Sequence, residues 1–172
     1  MPTVYFRAHF PVYFRLTLTS DLSTIRADIS MVSGKEKIRA RVLLADDHPE
    51  LIEDLRAVLE PEFEVVATVG DGNALVAAAE TIAPDVIVTD IFMPGLNGIE
   101  AAGEILRRNP AARIVFVTVH ENPELVQQGL AAGALGYVLK VTAGDDLVPA
   151  IRAALRGEKY LSLAAGGPMK GC

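Results

Sequence analysis

The chain alternates short apolar runs with segments of helical period, and this alternation constrains the fold more than any other feature. Between the runs, hydrophobic residues recur every three or four positions, as in helices that bury one face. Nearly continuous apolar strands joined by helices are typical of a parallel sheet covered on both faces. The pattern therefore predicts a doubly wound α/β domain with five strands and five helices. The five runs are Arg41–Ala45, Glu64–Val69, Val86–Thr89, Ile114–Thr118 and Gly136–Leu139.

The residues in front of three predicted helices suggest how these helices begin. His48 and Asn122 each precede a proline, and a capping residue before a first-turn proline is a frequent helix start. Thr142 and Asp145 have the spacing of a capping box. We therefore expect His48, Asn122 and Thr142 to act as helix caps.

Charged and hydroxyl side chains stand where four of the predicted strands end. Asp46 and Asp47 follow the first run, Asp90 follows the third, Thr118 ends the fourth and Lys140 follows the fifth. Because ligands bind at the carboxyl ends of parallel strands, these side chains are expected to meet at one edge of the sheet. Three carboxylates gathered there stay ionised only if they share a cation, and Mg²⁺ is the natural oxygen-ligated ion.

This set of side chains has the chemistry that an aspartyl phosphate requires. With a divalent cation in place, one carboxylate oxygen can attack phosphorus, while the Thr118 hydroxyl and the Lys140 ammonium meet phosphoryl oxygens. Taken singly, each residue has an ordinary interpretation: the Asp pair as a solvated cap, Lys140 as a surface lysine and Thr118 as a β-branched strand residue. Their shared position at the strand ends favours a functional site.

Four segments resemble the response-regulator receiver domain of two-component signalling. They are residues 42–49 (VLLADDHP), 86–98 (VIVTDIFMPGLNG), 114–120 (IVFVTVH) and 131–140 (AAGALGYVLK), and together they span most of residues 38–160. The Asp-Asp-His-Pro and Ala-Gly-Ala-Leu-Gly-Tyr sequences are most similar to the NarL/FixJ subfamily, whose receivers precede a LuxR-type helix-turn-helix. The resemblance implies a flavodoxin-like receiver fold, with five parallel strands in the order 2-1-3-4-5 and helices on both faces.

The resemblance also implies roles for named residues in the phosphoryl chemistry. It makes Asp90 the phospho-acceptor and Asp46 with Asp47 the acidic pair that holds Mg²⁺. Asp90 itself and the backbone carbonyl of Phe92 are the further Mg²⁺ ligands that it implies. Lys140 becomes the partner of the phosphoryl group and of the carboxylate.

A conformational switch is implied by the same resemblance. Phosphorylation adds about two negative charges, and Thr118 would turn its hydroxyl toward them. Tyr137 would then rotate inward and change the surface formed by the fourth helix, fifth strand and fifth helix. Phe92 and His120 border the expected approach to the phosphoryl group. The bulk of Phe92 predicts slow self-dephosphorylation, because an in-line water must pass it.

Partners and alternatives follow from the resemblance. A sensor histidine kinase is the expected phosphoryl donor, a homodimer on phosphorylation is a further expectation, and the chain should catalyse only its own phosphorylation and dephosphorylation. The alternative of another class is an Mg²⁺-dependent phosphohydrolase with an aspartate nucleophile. It is disfavoured because Asp90-Ile91-Phe92 lacks the second acid of an Asp-x-Asp motif. A degenerate receiver that only binds proteins is disfavoured because every required side chain is present.

The two ends of the chain differ from this regular core. Residues 1–37 form an extension that is expected to be disordered or an appended hairpin, and Met31 within it is a candidate for the true start. Residues 38–160 are the expected receiver domain, and residues 161–172 are the expected stub of a linker. The chain is therefore interpreted either as a single-domain regulator or as the truncated receiver half of a LuxR-type transcriptional regulator.

Charge and composition argue against several functions. Residues 39–160 carry 10 Lys and Arg against 19 Asp and Glu, so direct DNA binding is not expected. The longest charge-free stretch, residues 125–139, contains two Gln and three Gly, which argues against a membrane span. The single cysteine, Cys172, excludes a disulfide framework and fits a reducing, cytoplasmic location.

Overall fold

The computed structural model describes residues 3–7, 13–17 and 39–162. The chain forms two compact units, one from Met1 to Ile38 and one from Arg39 to Cys172. Each unit is considered by itself, and every site residue expected from the sequence belongs to the second.

The first unit contributes a pair of strands. β1 (Thr3–Arg7) and β2 (Tyr13–Thr17) pair antiparallel, with Phe6 opposite Phe14. The expected start at Met31 lies outside the described residues, and most of the expected linker stub does so too.

The second unit is built on one sheet of six parallel strands. In chain order they are β3 (Arg41–Ala45), β4 (Glu64–Val69), β5 (Val86–Thr89), β6 (Ile114–Thr118), β7 (Gly136–Leu139) and β8 (Tyr160–Leu161). The spatial order is β4-β3-β5-β6-β7-β8. The first five strands of this sheet confirm the predicted order 2-1-3-4-5.

The sixth strand corrects the prediction of a five-stranded sheet. β8 pairs parallel to β7, with Tyr160 opposite Gly136. The Ser162 amide then donates to the Tyr137 carbonyl (3.0 Å), and Ser162 Oγ accepts from the Leu139 amide (3.3 Å). The sheet thus continues past the expected domain end at Tyr160. The sequence did not predict β8, because a strand of two residues pairs through its backbone and has no apolar periodicity.

Five helices cover both faces of the sheet. They are α1 (Pro49–Leu59), α2 (Gly72–Ile82), α3 (Gly98–Arg108), α4 (Pro123–Ala131) and α5 (Ala143–Leu155), with a 3-10 turn at Lys140–Thr142 before α5. α1 and α5 share a core with Val42 and Leu44 of β3, whereas α2, α3 and α4 share the opposite core with Leu43 and Ala45. Alternate residues of one strand thus face the two cores. None of the helices in the described residues is long and apolar enough to cross a membrane.

The helix starts confirm one predicted cap and correct two. Asn122 accepts a hydrogen bond from the Glu124 amide (2.8 Å). His48 stands at the cap position of α1, but its side chain makes no capping bond, because its ring turns to the neighbouring acids. Thr142 instead donates to the Leu139 carbonyl (3.3 Å), because the chain enters α5 through the 3-10 turn.

The first turn of α3 packs against the backbone that carries Asp90. The Gly98 amide donates to the Ile91 carbonyl (2.7 Å). A Cβ at position 98 would lie 2.0 Å from the Asp90 carbonyl oxygen, so no other residue fits without a shift of the backbone. Gly98 therefore allows α3 to hold the loop after β5 in place.

Gly98→Ala is expected to destabilise the fold by about 1–3 kcal/mol, the usual cost of inserting atoms into a packed region. Gly103→Ala on the same helix is the matched control, because a Cβ at that position meets nothing within 4 Å. The control is expected to raise the free energy of unfolding by roughly 0.5–1 kcal/mol. Urea denaturation of the full chain measures both changes, and equal effects would contradict the close approach at Gly98.

Candidate functional site

The expected site residues lie at the carboxyl edge of the sheet. Asp46 and Asp47 follow β3, Asp90 follows β5, Thr118 ends β6 and Lys140 opens the 3-10 turn after β7. Asp46, Asp90 and Thr118 are buried, whereas Asp47 is exposed. Asp90 follows β5 and Lys140 follows β7, and β6 lies between these two strands. Thr118, at the end of β6, therefore lies between them along the edge of the sheet.

Backbone hydrogen bonds of the sheet extend to both buried aspartates. The Asp46 amide donates to the Val69 carbonyl (3.1 Å), and the Asp90 amide donates to the Ala45 carbonyl (2.9 Å). These bonds tie the residue after each strand to the neighbouring strand. The two carboxylates are therefore positioned by the sheet itself.

Lys140 bridges the two buried carboxylates. Its Nζ atom lies 2.6 Å from Asp46 Oδ2 and 2.6 Å from Asp90 Oδ2. The exposed fractions of the three side chains are 8% for Lys140, 0% for Asp46 and 6% for Asp90. Burial acts to lower the pKa of Lys140, but the two carboxylates outweigh it, and its pKa lies above the ordinary value. The ammonium thus stays charged and leaves the buried trio with one excess negative charge.

The carboxylate oxygens of the two aspartates have different surroundings. Asp90 Oδ1 accepts a hydrogen bond from the Ile91 amide (2.6 Å), while its Oδ2 faces Lys140. Asp46 Oδ1 accepts from the His48 amide (2.9 Å). Asp46 Oδ2 is buried and makes no hydrogen bond of good geometry with the described residues, so its charge is met by the ion pair with Lys140.

Asp46, Asp47 and His48 form a group that could hold a metal ion. Their ligand atoms lie within 4.8 Å of one another. Two adjacent carboxylates, one buried and one exposed, fit a hard divalent cation such as Mg²⁺. Among the described residues, Asp90 is not part of this group. Mg²⁺ ligation by Asp90 and by the Phe92 carbonyl stays a prediction.

The two expected switch residues share a backbone partner. Thr118 Oγ1 accepts a hydrogen bond from the His120 amide (3.4 Å), and the Tyr137 hydroxyl donates to the His120 carbonyl (2.8 Å). Tyr137 is fully buried, with its ring edge-on to Phe116. Burial and, secondly, the charge of Asp90 raise the pKa of Tyr137 to about 12. The tyrosine therefore already has the inward packing that sequence reasoning assigns to the phosphorylated state.

Phe92 and His120 contact each other across the loops that follow β5 and β6. Their ring centroids are 4.5 Å apart at an interplanar angle of 60°, and Phe92 is half exposed. His120 is thus linked by its backbone to Thr118 and Tyr137 and by its ring to Phe92. Sequence reasoning missed this connecting role, because backbone partners leave no trace in residue types. The one available signal is the position of His120, two residues after Thr118.

Comparison with known proteins associates this geometry with a family. A family model described as the response regulator receiver domain matches residues 42–152. The transcriptional regulatory protein YxjL of Bacillus subtilis (strain 168), itself described as uncharacterized, is 44% identical over 127 residues, which are 73% of this chain and 57% of that protein. The chain spans between 53% and 61% of the length of this and three other curated relatives.

Solved structures show the same similarity. A two-component response regulator of the LuxR family from Aurantimonas sp. SI85-9A1 superposes with a TM-score of 0.70 at 37% identity, covering 72% of this chain and 90% of that chain. A structure described as two RcsB dimers bound to two parallel DNAs matches with a TM-score of 0.68 at 31% identity, covering 74% of this chain and 66% of that chain. Sequence and fold therefore point to one family.

Removal of Lys140 would leave two buried carboxylates facing each other. Lys140→Met is expected to lower the free energy of unfolding by about 3–5 kcal/mol, the usual cost of removing one partner of a buried ion pair. Lys159→Met, at an exposed lysine, is the matched control and should leave stability nearly unchanged. Urea denaturation at neutral pH without divalent cations measures both. A loss for Lys140→Met no larger than that of the control would contradict the buried bridge.

Proposed function

The chain belongs to the response regulator receiver domain family, and from this premise we propose that Asp90 accepts a phosphoryl group from a sensor histidine kinase. Phosphorylation-based signalling is the function of the family. The observation that carries the assignment is the position of Asp90, a buried carboxylate that follows an inner strand. One of its oxygens lies 2.6 Å from the Lys140 ammonium.

The proposed transfer uses the contacts that Asp90 already makes. A carboxylate oxygen attacks phosphorus, so that an O–P bond forms while the P–N bond to the donor imidazole breaks. The bonding electron pair returns to the imidazole nitrogen. The Ile91 amide, 2.6 Å from Oδ1, orients the carboxylate. The Lys140 ammonium already contacts Asp90. It can therefore form an ion pair with the phosphoryl oxygens once the phosphoryl group is attached there.

The acidic pair is the proposed holder of the cation. Asp46 and Asp47 would bind Mg²⁺, and Asp90 with the Phe92 carbonyl would complete the protein ligands. When bound, Mg²⁺ supplies neutralisation of the charge on the phosphoryl oxygens. Support comes from the two adjacent carboxylates, whose oxygens lie within 4.8 Å of each other.

The proposed switch acts through the backbone of His120. Thr118 would turn its hydroxyl from the His120 amide toward the phosphoryl group, and the same loop carries the carbonyl that holds Tyr137. A Cβ at Gly129 of α4 would lie 2.9 Å from the Phe116 ring, so α4 packs closely beside the Phe116–Tyr137 ring pair. Phosphorylation would thus favour the inward packing of Tyr137 and the α4–β7–α5 surface that goes with it.

The proposed partners follow from the family and its relatives. The donor is a sensor histidine kinase, and the α4–β7–α5 surface of the phosphorylated chain would bind a second copy of the chain. Dimers on DNA are described for RcsB, and control of transcription is suggested by the name of the YxjL relative. The acidic balance of residues 39–160 does not favour DNA contact by this unit. A cytoplasmic location, typical of response regulators, is proposed with these partners.

Asp90→Asn is expected to abolish phosphorylation by acetyl phosphate and Mg²⁺, because the amide is a poor nucleophile. Asp54→Asn, at an exposed aspartate of α1, is the matched control and should be labelled like the parent. Intact mass spectrometry measures the added phosphoryl group, and its release by hydroxylamine identifies an acyl phosphate. Hydroxylamine-sensitive labelling of Asp90→Asn to the parent's extent would contradict the proposal.

Phe92→Asn is expected to speed the decay of the phosphorylated chain by about 2–10-fold. The Phe92–His120 ring contact would have to open before water reaches the phosphoryl group. Such a contact contributes roughly 0.5–1.5 kcal/mol, and removing that amount from the barrier to hydrolysis gives this range. Val141→Asn, at a more exposed apolar residue beside the site, should change the decay rate less than Phe92→Asn does. Loss of label with time measures the rates. Equal or slower decay in Phe92→Asn would show that Phe92 does not restrict water.

A further inference from the structure

Thr89, the last residue of β5, carries a hydroxyl group into the apolar core directly before Asp90. The residue is fully buried, and it lies on the side of the strand that Ile87 presents to the core shared by α2, α3 and α4. A buried hydroxyl needs a hydrogen-bond partner. The Thr89 Oγ1 atom donates to the backbone carbonyl oxygen of Asp90 (2.9 Å).

The Asp90 carbonyl and the Ile91 amide belong to one peptide unit. This unit is trans, so its carbonyl and its amide point in opposite directions from one rigid plane. The Ile91 amide donates to Asp90 Oδ1 (2.6 Å). A bond that fixes the carbonyl therefore also fixes the donor that holds the Asp90 carboxylate.

The first turn of α3 limits the space around the same carbonyl. A Cβ at Gly98 would lie 2.0 Å from the Asp90 carbonyl oxygen, so the backbone of α3 approaches this atom closely. Close packing excludes other positions of the carbonyl but supplies no directional bond. The Thr89 hydroxyl supplies that bond, and the two contacts together define the orientation of the peptide.

We propose that Thr89 is a positioning residue for phosphoryl transfer, because its hydroxyl holds the Asp90–Ile91 peptide and, through the Ile91 amide, the carboxylate of Asp90. This inference rests on the proposed role of Asp90 as phospho-acceptor. Thr89 acts through the backbone. Its loss would let the carboxylate leave the attacking orientation, which lowers the rate of the transfer step rather than the binding of the donor.

A second contact of the hydroxyl gives an alternative with a different prediction. Thr89 Oγ1 lies 4.0 Å from the sulfur of Met93, which is nearly buried. A thioether is a weak acceptor, and the carbonyl lies much closer. If the sulfur were the important partner, Met93→Leu would have the same effect as removal of the hydroxyl.

Phosphorylation of the full chain by acetyl phosphate and Mg²⁺ tests the proposal. Thr89→Val, which keeps the shape and removes the hydroxyl, is expected to lower the maximal rate constant by about 3–10-fold, as for the loss of one hydrogen bond. The acetyl phosphate concentration that gives half the maximal rate should change by less than roughly twofold, because the donor does not contact Thr89. Thr89→Ser keeps the hydroxyl and should restore the rate.

Ile87→Val is the matched control, since it removes one methyl group from the same side of the same strand. Its maximal rate constant should equal that of the parent, and Met93→Leu should also leave the rate unchanged. A loss that came only from a weakened core would appear in Ile87→Val as well.

The Ile91 amide provides a readout that needs no phosphoryl donor. Its short hydrogen bond to Asp90 is expected to shift the amide proton resonance downfield in the parent. In Thr89→Val this resonance should move upfield and its hydrogen exchange should become faster. Both properties should stay as in the parent in Thr89→Ser and Ile87→Val.

Three outcomes would overturn the inference: phosphorylation of Thr89→Val at the parent's rate, an unchanged Ile91 resonance in that variant, or an equal loss of rate in Met93→Leu. A parent chain that accepts no phosphoryl group would instead overturn the proposed function. The Ile91 resonance would in that case still report whether Thr89 holds the peptide, so the two failures are distinguishable.

Discussion

The charged bridge from Asp46 through Lys140 to Asp90 is the interaction on which the site depends. Three nearly buried charges are stable together only because the ammonium lies 2.6 Å from a carboxylate oxygen on each side. The bridge joins residues that follow β3, β5 and β7. It therefore holds together the ends of strands on both sides of β6, the strand that ends at Thr118. Two carboxylates face one ammonium in this bridge, which is the physical reason to propose a cation beside it.

The loop after β6 contacts the other three residues expected at the site. The His120 backbone meets Thr118 on one side and Tyr137 on the other, and its ring lies against Phe92. This loop is the route by which we propose that a change of charge at Asp90 reaches α4. Tyr137 is inward and fully buried in the unmodified chain, which is the packing that we propose for the phosphorylated state.

Much of the fold and the site was accessible from residue patterns. Apolar runs and helical periods predict the parallel sheet, and polar residues at strand ends predict the site, whereas the strand order rests on the family resemblance. β8 left no signal because two residues have no period. The prediction of capping hydrogen bonds by His48 and Thr142 was wrong, because tertiary neighbours decide where a polar side chain points. Contacts such as Lys140 with Asp46, or Tyr137 with a backbone carbonyl, depend on distances that no residue pattern contains.

The central claim is that charge at Asp90 is transmitted to Tyr137 and α4 through the loop after β6. Hydrogen exchange of the full chain with Mg²⁺, with and without the phosphoryl mimic beryllofluoride, tests it most directly. The account predicts altered exchange at the His120 amide, which Thr118 would release, together with slower exchange in α4 and β7. Identical exchange in these three places, when beryllofluoride is bound at Asp90, would contradict the account.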